Sequence, residues 1–281
     1  MDVTYLLNVL YAVSTLAVVA LGLGIVFGLL GVLNLAHGEF VMLGAYSAWF
    51  VQSHGVSMWA AVPLALVVCA AIGWVLERWL IRPLYHRPFD TLIATWGVSL
   101  LLRKLVEAVF GLGYKNVAVP LPQTVTLWGA TYPAYRLLLI PFSVALIAAL
   151  FLWYRGSRSG TRIQAMVDNP ALAQAVGIKT QRLASATFVV GVCLAGLAGV
   201  MLAPTTPVQP FMGVDFVLDA FFALVVGGLG SVLGLVAGAG VIGGTGAVVA
   251  AVLDRSYGYF AVLGVAIGFM WLRPRGLYAR S

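Results

Sequence analysis

Apolar and polar positions divide the chain into long hydrophobic runs separated by short polar stretches. The runs at 9–33, 59–76, 184–203 and 216–253 are as long as a bilayer span or longer, because about 20 helical residues cross the hydrocarbon core. In lipid every backbone N–H and C=O needs a partner within the protein, and a continuous run meets that need as a helix. A barrel would show short segments of alternating polarity, and the chain shows no such pattern. The pattern predicts an all-α polytopic membrane protein of about eight to ten transmembrane helices in one domain over residues 1–281.

Composition agrees: 62% of residues are hydrophobic and 9% are charged, with a mean hydropathy of +1.02, too apolar for a soluble surface. The formal charge of +7 raises the question of nucleic acid. Its distribution answers it. Arg78, Arg82 and Arg87 form one group; Arg155, Arg158, Arg162, Lys179 and Arg182 a second; Arg273, Arg275 and Arg280 a third. Short basic segments beside spans are what the positive-inside rule places in the cytoplasm, so no nucleic-acid partner is needed. A polybasic lipid contact is an additional role such segments take. The first run lacks a basic leader before it, and is expected to be a retained helix rather than a cleaved signal.

With the basic groups inside, the spans 9–30, 40–51, 59–76, 91–110, 137–154, 184–203, 216–234, 235–253 and 257–272 put the N-terminus outside and the C-terminus in the cytoplasm. Residues 112–136, with Pro120, Pro122 and Pro133, become an external loop. The run 40–51 is roughly 18 Å long at ~1.5 Å per residue, too short to span upright, so it is expected to be tilted, re-entrant or joined to a broken helix. Cys69 and Cys193 lie in apolar runs and behave as small hydrophobes. Glycines recur four apart at Gly24/Gly28, Gly230/Gly234, Gly234/Gly238, Gly240/Gly244 and Gly264/Gly268. That spacing lets helix backbones approach closely, and its density at 227–246 points to short, bent helices around a pathway.

Two local patterns carry chemistry. Asn34, His37 and Glu39 interrupt apolar sequence on both sides, and ionisable groups at membrane depth mark a translocation path by default; at an interface, water would satisfy them instead. One His and one Glu do not make a metal site. Arg103, Lys104 and Glu107 lie within one turn and are expected to snorkel and pair locally. The second pattern lies in the basic loop 155–182. Asn169 offers an N-cap, Pro170 the first helical position and Gly177 the stop, with Leu172, Ala175 and Val176 on one face between them. So short a helix is marginal alone and fits a groove on a partner; the alternative is a helix lying on lipid headgroups.

The chain resembles the permease subunits of ATP-binding-cassette importers for branched-chain amino acids and for urea. The likeness runs over nearly all of it, through residues 28–40 with Leu43, Gly44, Ala45 and Tyr46, then 173–182 around Gly177 and Ile178, and Arg273 to Leu277. The resemblance implies a bacterial inner-membrane permease in which Asn169, Pro170, Leu172, Ala175, Val176 and Gly177 form a coupling helix docking into an ATPase subunit. It also implies a second related permease, two ATPase subunits and a periplasmic or extracellular solute-binding protein. ATP and Mg would sit on the ATPase partners; this chain has no Gly-rich phosphate loop and is expected to bind no cofactor of its own. The segment 89–100 resembles the urea branch more than the amino-acid branch, so urea or a short amide is favoured slightly over branched-chain or other neutral amino acids. A channel or proton-coupled secondary transporter would share the hydropathy but has little use for a docking helix. A membrane-embedded enzyme would need a nucleophile and base or several metal ligands, which His37, His54 and His86 do not supply.

Overall fold

The computed structural model describes residues 3–85, 87–228, 231–273 and 276–278. The helices are α1 (Val3–Leu30), α2 (His37–Ser53), α3 (Ala61–Leu76), α4 (Pro88–Phe110), α5 (Ala134–Gly156), α6 (Arg158–Asp168), α7 (Pro170–Ala175), α8 (Thr180–Leu202), α9 (Met212–Gly227), α10 (Val232–Val252) and α11 (Arg255–Leu272). A five-residue π-helix, Glu77–Ile81, extends α3. Six helices among the described residues are long and apolar enough to cross a membrane. Of the other long ones, α2 and α9 have 17 and 16 residues, and α4 carries Asp90, Arg103, Lys104 and Glu107. That is where this count departs from the nine spans expected.

The core is built around α1 and α8. Val18, Leu21, Leu23 and Val26 of α1 meet Phe188, Val192 and Ala195 of α8 and Leu235 and Ala239 of α10. Glycine lets these helices come close. A Cβ on Gly44 would overlap the Gly196 carbonyl, and one on Gly199 would overlap that of Val41, so α2 and α8 cross backbone to backbone. The glycines singled out in sequence divide. Gly24 meets Leu235, and Gly234 and Gly238 pack on Gly227 and Ala223, whereas Gly240, Gly264 and Gly268 face open space. Gly230 lies outside the described residues. The expectation of short, bent helices at 227–246 is corrected: α9 stops at Gly228, whose φ of +100° suits glycine, and α10 then runs unbroken for 21 residues.

The expected external loop holds a two-stranded hairpin, β1 (Thr124–Leu127) and β2 (Ala130–Pro133), in antiparallel register. Trp128 and Gly129 turn it, both at positive φ, as a tight two-residue turn requires. Tyr132 anchors it to α1 through a 3.1 Å bond to Asn8. At the opposite end of the bundle lie α6 and α7.

Candidate functional site

Helix α1 ends at Leu30, and Gly31, with φ +66°, starts a non-helical segment over 31–36 that ends in a turn. This segment doubles back along α1. His37, the first residue of α2, places Nε2 3.0 Å from the carbonyl of Val19, eleven positions before the end of α1. A carbonyl only accepts, so Nε2 carries the proton. At ~1.5 Å per residue this contact lies roughly 16 Å back from the α1 terminus, so the chain over 31–36 returns alongside α1. Gly22 makes room: a Cβ there would come 2.9 Å from the His37 ring. Of the outcomes expected for a short second span, the one joined to a broken helix is observed, with α1 and α2 interrupted over 31–36.

Three polar side chains hold the break. Asn34 Oδ1 accepts from the Ala36 N–H at 3.1 Å. Thr95 of α4 donates its hydroxyl to the Leu33 carbonyl and accepts from the Leu35 N–H at 3.2 Å. Glu39 Oε1 accepts from Ser99 at 2.8 Å and from Arg103 Nη2 at 2.7 Å. Thr91, Thr95, Ser99 and Arg103 thus form one stripe at four-residue intervals along the face α4 turns inward. Arg103 also stacks over Phe211, 5.2 Å from the ring centre.

Asn34, His37 and Glu39 are all buried within the bundle. Lys104 and Glu107 do pair locally at 2.7 Å. The local pairing expected of Arg103 is corrected: it reaches Glu39 instead, because the α4 stripe faces the break and a buried carboxylate demands a cation more strongly than an exposed one.

The N-terminus of α9 meets that of α2. A Cβ on Gly38 would overlap the Gly213 carbonyl, and one on Gly213 the Gly38 carbonyl. Each helix carries an acid in its first turn, Glu39 and Asp215, the favourable end of the helix dipole for a negative group.

A second buried pair was not singled out in sequence. Glu77, in the π-helix, accepts from Arg82 at 3.4 Å and from the Tyr85 hydroxyl at 3.1 Å. Arg82 also donates to Ser185 of α8 at 2.7 Å. Burial, with the Glu77 carboxylate beside it, pushes the Tyr85 phenol above its ordinary range and keeps it a donor. An acid closing the apolar run 59–76, five positions before Arg82, was the available signal.

Helix α7 has the predicted caps. Asn169 Oδ1 accepts from the Leu172 N–H at 2.9 Å, and Pro170 takes the first position. Gly177, at φ +87°, closes it: its N–H bonds the Gln174 carbonyl and the Ile178 N–H that of Ala173, the paired bonds of a Schellman stop. Ala173 turns inward, while Leu172 and Val176 are 61% and 69% exposed. Ala175 is exposed beside them. The preceding stretch, read in sequence only as loop, forms α6, capped by Ser157 and burying Ile163 and Met166. The candidate site therefore has two parts, the polar break deep in the bundle and the capped helix at its end.

Comparison with known proteins matches residues 5–272 to the family described as "Branched-chain amino acid transport system / permease component". The chain is 30% identical to the high-affinity branched-chain amino acid transport system permease protein LivH of Escherichia coli, covering 95% of this chain and 92% of that protein. It is 29% identical to BraD of Pseudomonas aeruginosa, covering 98% and 95%. LivM of Escherichia coli is 25% identical, with 92% of this chain against 67% of that protein. Among solved structures, PsaBC from Streptococcus pneumoniae in complex with Fab shares the fold with a TM-score of 0.54 at 14% identity, covering 98% of this chain and 94% of that one.

Proposed function

Because the chain belongs to the branched-chain amino acid transport permease family, we propose that it is the membrane-spanning subunit of an ATP-driven importer for branched-chain or other neutral amino acids. The observation that carries this is the family match over almost the whole chain. Both LivH and BraD, matched over 92% and 95% of their length, are branched-chain amino acid permeases by name. Their names support amino acids over the urea favoured by residues 89–100. Similarity to both LivH and LivM supports pairing with a second, related permease.

The proposed assembly adds two ATPase subunits, which bind the ATP and Mg, and an external solute-binding protein. Helix α7 docks on an ATPase, with Leu172, Ala175 and Val176 entering its groove; their exposure on a fully capped helix supports this. The basic loop 155–182 then lies in the cytoplasm and the hairpin outside. Asn34, His37 and Glu39 shape the translocation path by holding the helix broken at membrane depth. The decisive experiment is uptake of labelled leucine and of labelled urea into vesicles containing the chain with its genomic neighbours. ATP-dependent uptake of leucine but not urea is expected; urea uptake alone would reverse the substrate.

A further inference from the structure

A cavity of about 740 Å³ lies at the α6–α7 end of the bundle. Its walls are mainly apolar, with Leu21 and Ile25 of α1, Leu150 and Phe151 of α5 and Val190 of α8 among them. Thr187 of α8 also lines it, and its buried hydroxyl has no hydrogen-bond partner among the described residues. Of its lining residues, Trp153 and Leu233 are exposed, so the cavity opens on an apolar flank of the bundle. A second cavity, of about 650 Å³, adjoins it and shares Leu183 and Ala186 as wall. This one is lined by Arg162, Lys179 and Arg182 and by no acidic residue. Among the described residues none of these three cations is held in an ion pair.

An apolar chamber beside a cationic pocket, with Leu183 and Ala186 between them, has the polarity of an anionic amphiphile. We propose that the two together bind one anionic phospholipid, acyl chain in the first and phosphate among Arg162, Lys179 and Arg182 in the second. Tail-sized volume, lateral opening and unneutralised positive charge all favour this occupant. Val176 and Gly177 also line the second cavity, so a bound phosphate would lie against the C-terminal end of the docking helix. The proposal depends on the permease reading only for the assembly used to test it.

The test uses the intact chain with its partner subunits, stripped of lipid in detergent. Phosphatidylglycerol and phosphatidylcholine, each with brominated acyl chains, are titrated in; binding is counted by native mass spectrometry and located by quenching of Trp153, with Trp153→Phe as reference. Phosphatidylglycerol should bind more tightly. The Arg162→Gln/Lys179→Gln/Arg182→Gln variant should weaken it roughly a hundredfold, at about fivefold per cation. Ala186→Trp, which fills the shared wall without touching the core, should remove the quenching and serves if the triple variant does not fold.

Equal binding of phosphatidylcholine, undiminished in the triple variant, would overturn the proposal. So would inorganic phosphate alone displacing the lipid at equal concentration, which would identify a free phosphate as the ligand. Loss of the ATPase subunits from the triple variant with lipid retained would assign the cations to that partner instead. Leucine uptake is scored separately, so failure of the lipid site is distinct from failure of the permease reading.

Discussion

Removing the cation from a buried pair should cost far more than removing both partners, and Arg103 with Glu39 tests this inside the bundle. In the native arrangement Glu39 Oε1 accepts from Arg103 and Ser99, and the Glu39 side chain is 2% exposed. Arg103→Met leaves that carboxylate with one neutral donor, a loss of about 3–5 kcal/mol for breaking one side of such a pair. Stacking on Phe211 contributes a smaller part, about 0.5–2 kcal/mol, some of which Met retains through its sulfur. For a chain of this size the melting temperature should fall on the order of 10 °C. Adding Glu39→Gln removes the orphaned charge, so the double variant should recover about half the loss or more. The assay is thermal unfolding in detergent, followed by size-exclusion of the surviving fraction, over the full double-mutant cycle. A double variant whose loss equals the sum of the two singles would refute the pairing as a stability device.

Three further outcomes follow from the geometry. Leu172→Asp should release the ATPase subunits or abolish solute-stimulated ATP hydrolysis while the permease still inserts, since burying such a side chain is worth roughly 1.5–3 kcal/mol; pull-down and ATPase assays read it, and a complex that survives Leu172→Asp with Gly177→Val would refute the docking. Gly199→Leu should prevent folding altogether, because its Cβ would already overlap the Val41 carbonyl, whereas Gly264→Leu, facing open space, should leave the detergent-solubilised elution profile unchanged. A cysteine at Ser159 should be protected from an impermeant thiol reagent in intact cells and one at Trp128 should react; the reverse pattern would invert the proposed orientation.

Much of the helix order was legible in the sequence, because each long apolar run has one low-energy form in lipid. Boundaries slipped where a backbone preference overrode hydropathy: α9 covers Met212–Gly227 rather than 216–234, since Gly228 ends it inside an apolar stretch. Helix α7 could be read closely because Asn169, Pro170 and Gly177 encode their own geometry locally. Neighbouring α6 escaped notice although Ser157, Ile163 and Met166 carry cap and spacing, because its charged face resembles a loop. The pairing of Arg103 was beyond local rules: Glu107, four positions away, is the obvious partner, and choosing Glu39 requires knowing that α4 lies along the break. The hairpin at Trp128 and Gly129 was hidden by the prolines around it.

The spacing of α6, α7 and α8 has a mechanical consequence. One residue, Asn169, separates α6 from α7, and four separate α7 from α8, two of them fixed by the Schellman bonds. Gln174 bridges even that gap, donating to Thr180 at 3.0 Å. Such a linkage has little slack in which to absorb a displacement. A push on α7 would arrive at the foot of α8 almost undiminished, one turn from where Arg82 grips Ser185, and α8 is the strut on which α1, α2 and α3 all lean through glycine contacts. If α7 docks as proposed, a softer hinge inserted on either side of it, such as two added glycines after Ile178, would act as a clutch: hydrolysis would continue while the membrane helices stood still.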